Sequence, residues 1–219
     1  YTEAYGNYST EASRFAAPYV VGDAGAGIDP GTLKKTNLII LWGANIVDCR
    51  LGSEIETRIR QARNRGVEII VIDPRKTATA TRLGTQWIPV RPGTDAALML
   101  AILYVLLKKR LVDDPFINRY SIGFESLKKF VLGRDASDKV PKTPRWAENI
   151  CGVPAETIVE LAEIYGRTKP AALIPGPSIQ RTVGGEEATR LAITLQTVTG
   201  NTGKPGGASG TNTWYGLPH

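Results

Sequence analysis

Two short stretches, NLIILWGAN at residues 37–45 and GVEIIVIDPRKT at residues 66–77, decide the fold. Each contains a run of mostly branched apolar residues that ends in small or turn-forming residues, which is the pattern of a buried strand and its exit. Between them, Ile55, Ile59 and Ala62 recur at helical spacing, and a glycine then provides a C-terminal cap. Strand, helix and strand in this order predict a βαβ unit with parallel strands, whose ligand edge lies at the carboxyl ends of the strands.

Apolar runs and helical periodicity continue this alternation along the chain. Further strands are predicted at 87–90 and 171–175, and further helices at 96–110, 154–165 and 186–198. The fold class is therefore predicted as α/β, an open Rossmann-like and mostly parallel sheet with helices on both faces. Near the N terminus, residues 9–21 predict a helix that Pro18 interrupts, because proline lacks the N–H that a helix needs.

Composition and charge exclude several classes of function. The 219 residues include 27 Lys and Arg against 21 Asp and Glu, a net charge of +6. No basic stripe alternates with aromatic residues, so nucleic acid is not expected as the partner. Cys49 and Cys151 stand far apart and the only histidine is His219, so this chain alone is not expected to form a zinc or iron–sulfur site. The apolar run 96–107 has about half the roughly 20 residues of a membrane span, and it predicts a buried helix.

Polar residues follow three of the predicted strands. They are Asn45 and Asp48 after the first strand, Asp73, Arg75 and Thr77 after the second, and Thr94 and Asp95 after the third. In an open parallel sheet such turns meet at one crevice, where backbone N–H groups favour phosphate and carboxylates bind a base or a ribose, so a nucleotide-containing ligand is predicted. A structural alternative stays open, because turns and caps contain the same residue types and Thr94 or Asp95 can cap the next helix. No GxGxxG or Walker lysine motif is present, which argues against an ordinary NAD or P-loop site.

A series of short motifs runs along the chain. They are WGAN at 42–45, IVIDPR at 70–75, WIPVRPGTDAAL at 87–98, KTPRWA at 142–147, GVPAETI at 152–158 and TGNTGKPGG at 199–207. In this order they resemble the molybdopterin oxidoreductases of the dimethyl sulfoxide reductase family, over nearly the whole chain. The resemblance implies a fragment of the catalytic A subunit of a larger, multidomain enzyme.

The resemblance also implies a division into three segments. Residues 1–31 would carry the metal-ligand loop, and residues 32–170 would form an α/β nucleotide-binding domain with a helical extension. Residues 171–219 would supply the return strand, a helix and a glycine-rich loop of the adjoining α/β domain.

Members of this family hold molybdenum or tungsten between two pyranopterin guanine dinucleotides, so this sheet is expected to bind one or both nucleotide arms. The matching residues are Trp42, Gly43, Ala44, Asn45, Asp73, Arg75, Thr77, Gly93, Thr94 and Asp95, with Gly176 and Gln180 nearer the pterin. Arg75 can form a two-pronged contact with phosphate, and the carboxylate of Asp95 can accept hydrogen bonds from the N1–H and the amino group of guanine. For Trp42 and Gly93 the structural alternative is packing and turn geometry.

The sequence YGNYST at residues 5–10 is similar to the family segment that supplies a serine oxygen to molybdenum. The resemblance therefore implies that Ser9 is the metal ligand and a catalytic residue. The alternative is that Ser9 is the N-cap of the helix that follows. Serine at this position favours S-oxide and N-oxide reductases over formate dehydrogenases and nitrate reductases of the cysteine type.

The implied function is oxygen-atom transfer from a small S-oxide or N-oxide in anaerobic respiration. The expected partners are the remainder of the polypeptide, where any iron–sulfur cluster would lie in the N-terminal part, an iron–sulfur electron-transfer subunit and a membrane anchor subunit. The expected location is the periplasm, or the membrane through those subunits. The alternatives are another reductase or a transhydroxylase of the same family, a non-catalytic relative such as the large subunit of a respiratory NADH dehydrogenase, and a nucleotide-binding module without the cofactor.

Overall fold

The central element of the computed structural model, which describes residues 10–49 and 53–211, is a parallel β-sheet. In this part of the chain the strands are β1 (Leu38–Trp42), β2 (Glu68–Ile72), β3 (Gln86–Ile88) and β4 (Ala171–Pro175). Their order across the sheet is β3-β2-β1-β4, and every neighbouring pair is parallel. All five residues of β1 are buried, because β2 and β4 flank it and helices cover it. The predicted α/β fold with a parallel sheet is confirmed.

Strand β4, from the predicted segment 171–219, pairs with β1, from the predicted segment 32–170. Leu38 of β1 pairs with Glu68 of β2 on one side and with Ala171 of β4 on the other, and this register continues to the ends of the strands. The boundary predicted at residue 171 therefore lies inside one sheet, and the carboxyl end of β4 shares an edge with the carboxyl ends of the other strands.

The helices lie on both faces of the sheet, as predicted. In the described residues they are α1 (Glu11–Val21), α2 (Ile46–Cys49), α3 (Ser53–Asn64), α4 (Ala78–Arg82), α5 (Asp95–Lys108), α6 (Asp114–Tyr120), α7 (Phe124–Val131), α8 (Pro144–Cys151), α9 (Ala155–Arg167) and α10 (Gly185–Val198). Two 3₁₀ helices, Pro30–Lys35 and Pro177–Gln180, accompany them in these residues.

Alternating residues of the strands divide the core in two. Ile40 and Trp42 point to the face that α5, α9 and α10 cover, whereas Ile39 and Leu41 point to the face that α3 covers. Helix α5 packs against α8, α9 and α10, and most of its residues are buried, so the prediction of a buried helix is confirmed. In the described ranges, no helix combines the length and the apolar content that crossing a bilayer requires.

Two local predictions are wrong. Helix α1 does not stop at Pro18 but continues to Val21 and ends at the left-handed Gly22, and its own residues Ala16 and Ala17 are buried. Packing of this helix against the rest of the protein outweighs the one hydrogen bond that proline removes. The side chains of Thr94 and Asp95 do not cap α5, although Thr94 occupies its N-cap position.

Candidate functional site

A crevice of about 450 Å³ lies at the carboxyl edge of the sheet. Its lining includes residues that follow all four strands, namely Gly43 and Asn45, Asp73 and Arg75, Gly93 and Asp95, and Ser178 and Arg181. The structure therefore brings the three polar turns together with the loop after β4. A crevice at this edge of an open α/β sheet is where such folds bind their ligands.

The exits of β1 and β4 are packed directly against each other. The N–H of Gly176 donates to the carbonyl oxygen of Trp42 over 2.8 Å, and the hydroxyl of Ser178 donates to the carbonyl oxygen of Gly43 over 2.8 Å. A Cβ at Gly176 would lie 2.1 Å from that same Gly43 oxygen. Gly43 itself has a positive φ of 60°, which glycine adopts without strain. Gly176 thus acts behind the crevice wall and allows the two turns to approach.

Asp95 provides a buried carboxylate at the start of α5. It is 8% exposed, and its Oδ1 accepts a hydrogen bond of 2.8 Å from Nε1 of Trp42. Burial raises the pKa of the Asp95 carboxyl above its ordinary value, the Trp42 N–H lowers it, and the charge of Asp73 raises it. Trp42 itself is 0% exposed, so its ring belongs to the core and only its N–H acts at the site.

Asp73 provides a second carboxylate at the end of β2. Burial raises the pKa of the Asp73 carboxyl, while the backbone N–H and the charge of Arg75 lower it. That N–H donates to Oδ1 of Asp73 over 3.0 Å. The indole N–H of Trp87 donates to the backbone carbonyl of Asp73 over 2.9 Å and holds the turn from the side of β3.

Asn45 connects the turns that follow β1 and β2, and Thr77 caps the helix that follows β2. Oδ1 of Asn45 accepts a hydrogen bond of 2.8 Å from the hydroxyl of Thr79, and its amide donates to Asp48 over 3.0 Å. Thr77 is 7% exposed and caps α4, because its hydroxyl oxygen accepts the N–H of Ala80 over 3.3 Å. Asn45 lines the crevice, and Thr77 supports it from behind.

The remaining predicted residues lie around the crevice rather than in its lining. Ala44 is buried in the core, and the hydroxyl of Thr94 donates back to the carbonyl oxygen of Arg91 over 2.6 Å. Gln180 is 6% exposed, and its Oε1 accepts the backbone N–H of Ser13 in α1 over 2.7 Å. Ser9, the predicted metal ligand, lies outside the described residues.

Residues after β4 complete the site, and sequence reasoning missed most of them. Ser178, Arg181 and Thr182 line the crevice, although only Gly176 and Gln180 were predicted from this loop. The signal was available, because a loop at the carboxyl end of a parallel strand reaches the same edge as the other turns. In the described part of the chain, no group of three or more His, Cys, Asp or Glu side chains is arranged to hold a metal ion.

Comparisons with known proteins agree on one family. The family model described as molybdopterin oxidoreductase matches residues 1–216. The dimethyl sulfoxide reductase DmsA of Escherichia coli is 37% identical over 233 residues, which cover 100% of this chain and 28% of that protein. The trimethylamine-N-oxide reductase of Haemophilus influenzae is 34% identical over 220 residues, which cover 96% of this chain and 26% of that protein.

A solved structure agrees with the fold. The acetylene hydratase from Pelobacter acetylenicus superposes with a TM-score of 0.72 at 24% identity, over 90% of this chain and 25% of that one. The chain spans 28% and 26% of the length of the two reductases above. With a family match over nearly its whole length, the chain belongs to the molybdopterin oxidoreductases, the dimethyl sulfoxide reductase family that its motifs predict.

Proposed function

We propose that this chain is the central portion of a reductase of S-oxides or N-oxides, and that its crevice binds a guanine nucleotide arm of a molybdenum or tungsten bis(pyranopterin guanine dinucleotide). The observation that carries the proposal is the buried Asp95 carboxylate, held by Trp42 in a crevice that also contains the guanidinium of Arg75. This combination offers an acceptor for a base and a cation for a phosphate.

The residues of the crevice fit a nucleotide. Its volume of about 450 Å³ lies within the range of pockets that enclose ligands of this size. The two carboxylate oxygens of Asp95 have enough acceptor capacity for the N1–H and the amino group of guanine as well as for Trp42. Gly93, with a φ of 76°, lies beside Asp95 and has no side chain that would occupy the space above the turn.

When bound, the cofactor supplies the oxygen-atom transfer, and the chain binds and orients it. Arg75 would bind phosphate, and Asn45 would orient the turn after β1 through its bonds to neighbouring side chains. Ser9 would be the metal ligand, in a segment 1–31 that precedes the sheet. Helix α1 begins just after Ser9 in the sequence, and Gln180 binds its first turn.

The partners proposed for the whole protein are those of a respiratory reductase. They are the rest of the polypeptide, with an iron–sulfur cluster in its N-terminal part, an iron–sulfur electron-transfer subunit and a membrane anchor subunit. The substrates proposed are small S-oxides and N-oxides, because the similar proteins include a dimethyl sulfoxide reductase and a trimethylamine-N-oxide reductase. The proposed location is the periplasm, or the membrane through the partner subunits.

The test uses the full-length protein, produced anaerobically with molybdate in a host that loads a known relative. We expect molybdenum with about two guanine nucleotides per metal, which is the composition of the cofactor. Asp95→Asn should weaken retention of one nucleotide arm about 10- to 100-fold, because it removes the charge from the acceptor. Ser9→Ala should keep the nucleotide and lose S-oxide reduction.

The matched control for the charge is Asp23→Asn, since Asp23 lies in an exposed loop and accepts only the local N–H of Gly25 in the described contacts. This variant should bind nucleotide as the wild type does. Wild-type protein without metal and without nucleotide would contradict the proposal and leave a fold that lacks the family's chemistry.

A further inference from the structure

The hydrogen bond between Trp42 and Asp95 links the end of a core strand to the acceptor of the crevice. We infer that Trp42 is a positioning residue, which keeps Asp95 in the orientation and the charge state that a guanine base requires. This inference rests on the proposed function and adds a residue that acts without touching the ligand.

The geometry excludes direct contact between the Trp42 ring and a ligand. Trp42 is 0% exposed, and it pairs with Ile72 of β2 and Pro175 of β4 as the last residue of β1. Its neighbours on both sides fix its backbone. The indole has a single polar hydrogen and no acceptor, so it can only donate, and it donates to Oδ1 of Asp95 over 2.8 Å. The carboxylate is thus held by an inner strand of the sheet, which is paired on both sides.

Two features of the surroundings favour the neutral form of Asp95. Burial raises the pKa of its carboxyl and the charge of Asp73 raises it further, whereas the Trp42 N–H and, to a smaller extent, the backbone N–H of Asp95 lower it. In the described residues, the other titratable or charged groups of the crevice lining are Arg75, Arg181 and Cys49, and the Cys151 thiol of α8 and Arg91 near that thiol lie close by. Loss of the indole N–H therefore removes a stabilising partner of the ionised form and raises the pKa of Asp95.

Guanine recognition depends on this ionised form. The N1–H and the amino group of guanine are both donors, so the facing carboxyl must accept two hydrogen bonds. A protonated carboxyl presents an O–H of its own and leaves one donor of the base without an acceptor. A rise in the pKa of Asp95 should therefore appear as loss of nucleotide at a higher pH.

Trp87 offers a matched control on the neighbouring turn. Its indole N–H also holds a turn of the crevice, but it donates to the backbone carbonyl of Asp73 rather than to a carboxylate. Trp87→Phe therefore removes the same kind of bond without changing the hydrogen bonds of Asp95. A general loosening of the crevice would affect both variants, whereas loss of charge-state control would affect Trp42→Phe alone.

The experiment measures nucleotide retention by the full-length loaded protein between pH 4 and pH 8. After incubation at each pH the protein is desalted, and the guanine nucleotide that remains is released by acid and quantified by chromatography. The variants are Trp42→Phe, Trp87→Phe and Asp95→Asn. A fourth protein carries benzothienylalanine at position 42, which keeps the shape of tryptophan but has sulfur in place of the N–H.

We expect the midpoint of nucleotide loss to rise by about one to two pH units in Trp42→Phe and in the benzothienylalanine protein, because each loses a hydrogen bond to a charged group. Trp87→Phe should keep the wild-type midpoint, and Asp95→Asn should bind weakly at every pH. An unshifted midpoint in the correctly folded benzothienylalanine protein, or an equal shift in Trp87→Phe, would overturn the inference while the proposed function stands. A wild type without guanine nucleotide would overturn both.

Discussion

Replacing Gln180 with alanine should loosen the start of α1. The N–H of Ser13 belongs to the first turn of this helix, where N–H groups have no acceptor inside the helix. Oε1 of Gln180 accepts that N–H over 2.7 Å, and the N-cap residue Thr10 makes no side-chain capping bond. A residue far along the chain therefore performs the function that a neighbouring cap performs in other helices.

The expected change in the free energy of local opening follows from the known cost of losing a helix cap. Loss of a helix cap costs about 1 kcal/mol, within a range of about 0.5–2 kcal/mol. The Ser13 N–H is partly buried, so the upper half of that range applies, because a donor left without an acceptor adds a desolvation cost. A change of about 1–2 kcal/mol in the free energy of local opening corresponds to a change of about 5- to 30-fold in the open population of α1.

Hydrogen–deuterium exchange with mass spectrometry measures this population directly. In Gln180→Ala the amides of 10–21 should exchange about 5- to 30-fold faster, while those of α9, on the same sheet face but away from the loop, should keep their rates. Gln180→Glu is the matched control, because it keeps the acceptor and places a negative charge at the positive end of the helix. Equal exchange of α1 in the wild type and Gln180→Ala would refute the capping role, as would equally fast exchange in both variants.

Three further changes test other parts of the structure. Gly176→Ala should destabilise the protein by about 2–3 kcal/mol in denaturant unfolding, because the new Cβ would lie 2.1 Å from the Gly43 oxygen; an unchanged midpoint would contradict the packed turns. Asp95→Asn should raise the melting temperature of nucleotide-free protein at pH 7, because the pKa of the Asp95 carboxyl is higher in the folded than in the unfolded protein and its ionised form therefore destabilises the fold. The gain in melting temperature should shrink as the pH falls through the folded pKa. A gain that stays constant with pH would contradict this explanation. Lys142→Ala should lower the free energy of unfolding by about 1–3 kcal/mol, because this 3% exposed lysine lies against two aromatic rings. The control Lys139→Ala, at an exposed position, should change it by less than about 0.5 kcal/mol.

The sheet could be predicted from the sequence because its determinants are local. Short apolar runs within 38–42, 68–72 and 171–175 predict buried strands, and all three ranges are strands in the structure. The meeting of their polar turns follows from the rule for parallel sheets alone. The place of β4 beside β1 was not predicted, since an apolar run does not specify which strand it pairs with.

The contacts that organise the site could not be predicted in this way. The bond from Trp42 to Asp95 spans 53 residues, and the bond from Ser13 to Gln180 spans 167. Local reasoning predicted Asp95 as a ligand of the base, with a helix cap as the structural alternative, and gave no reason to expect an indole partner. The buried indole N–H at the end of β1 donates to the Asp95 carboxylate and makes no other hydrogen bond in the described contacts. Which donor reaches this carboxylate depends on the folded arrangement and has no signature in the spacing of the residues.

If the proposed function is correct, the nucleotide end and the metal end of the cofactor are bound by parts of the protein that differ in stability. Asp95 is bound by Trp42, which lies in the middle of the sheet with a paired strand on each side. Helix α1, which follows Ser9 in the sequence, is bound at its first turn by a side chain of a loop and packs along α10. A central strand opens only with the whole sheet, whereas a helix outside the sheet can open by itself. Base recognition is therefore tied to global stability, and the region next to the proposed metal ligand is tied to local stability. Mutations of Gln180, which binds α1 and does not line the crevice, should therefore affect the metal end of the site before the nucleotide end.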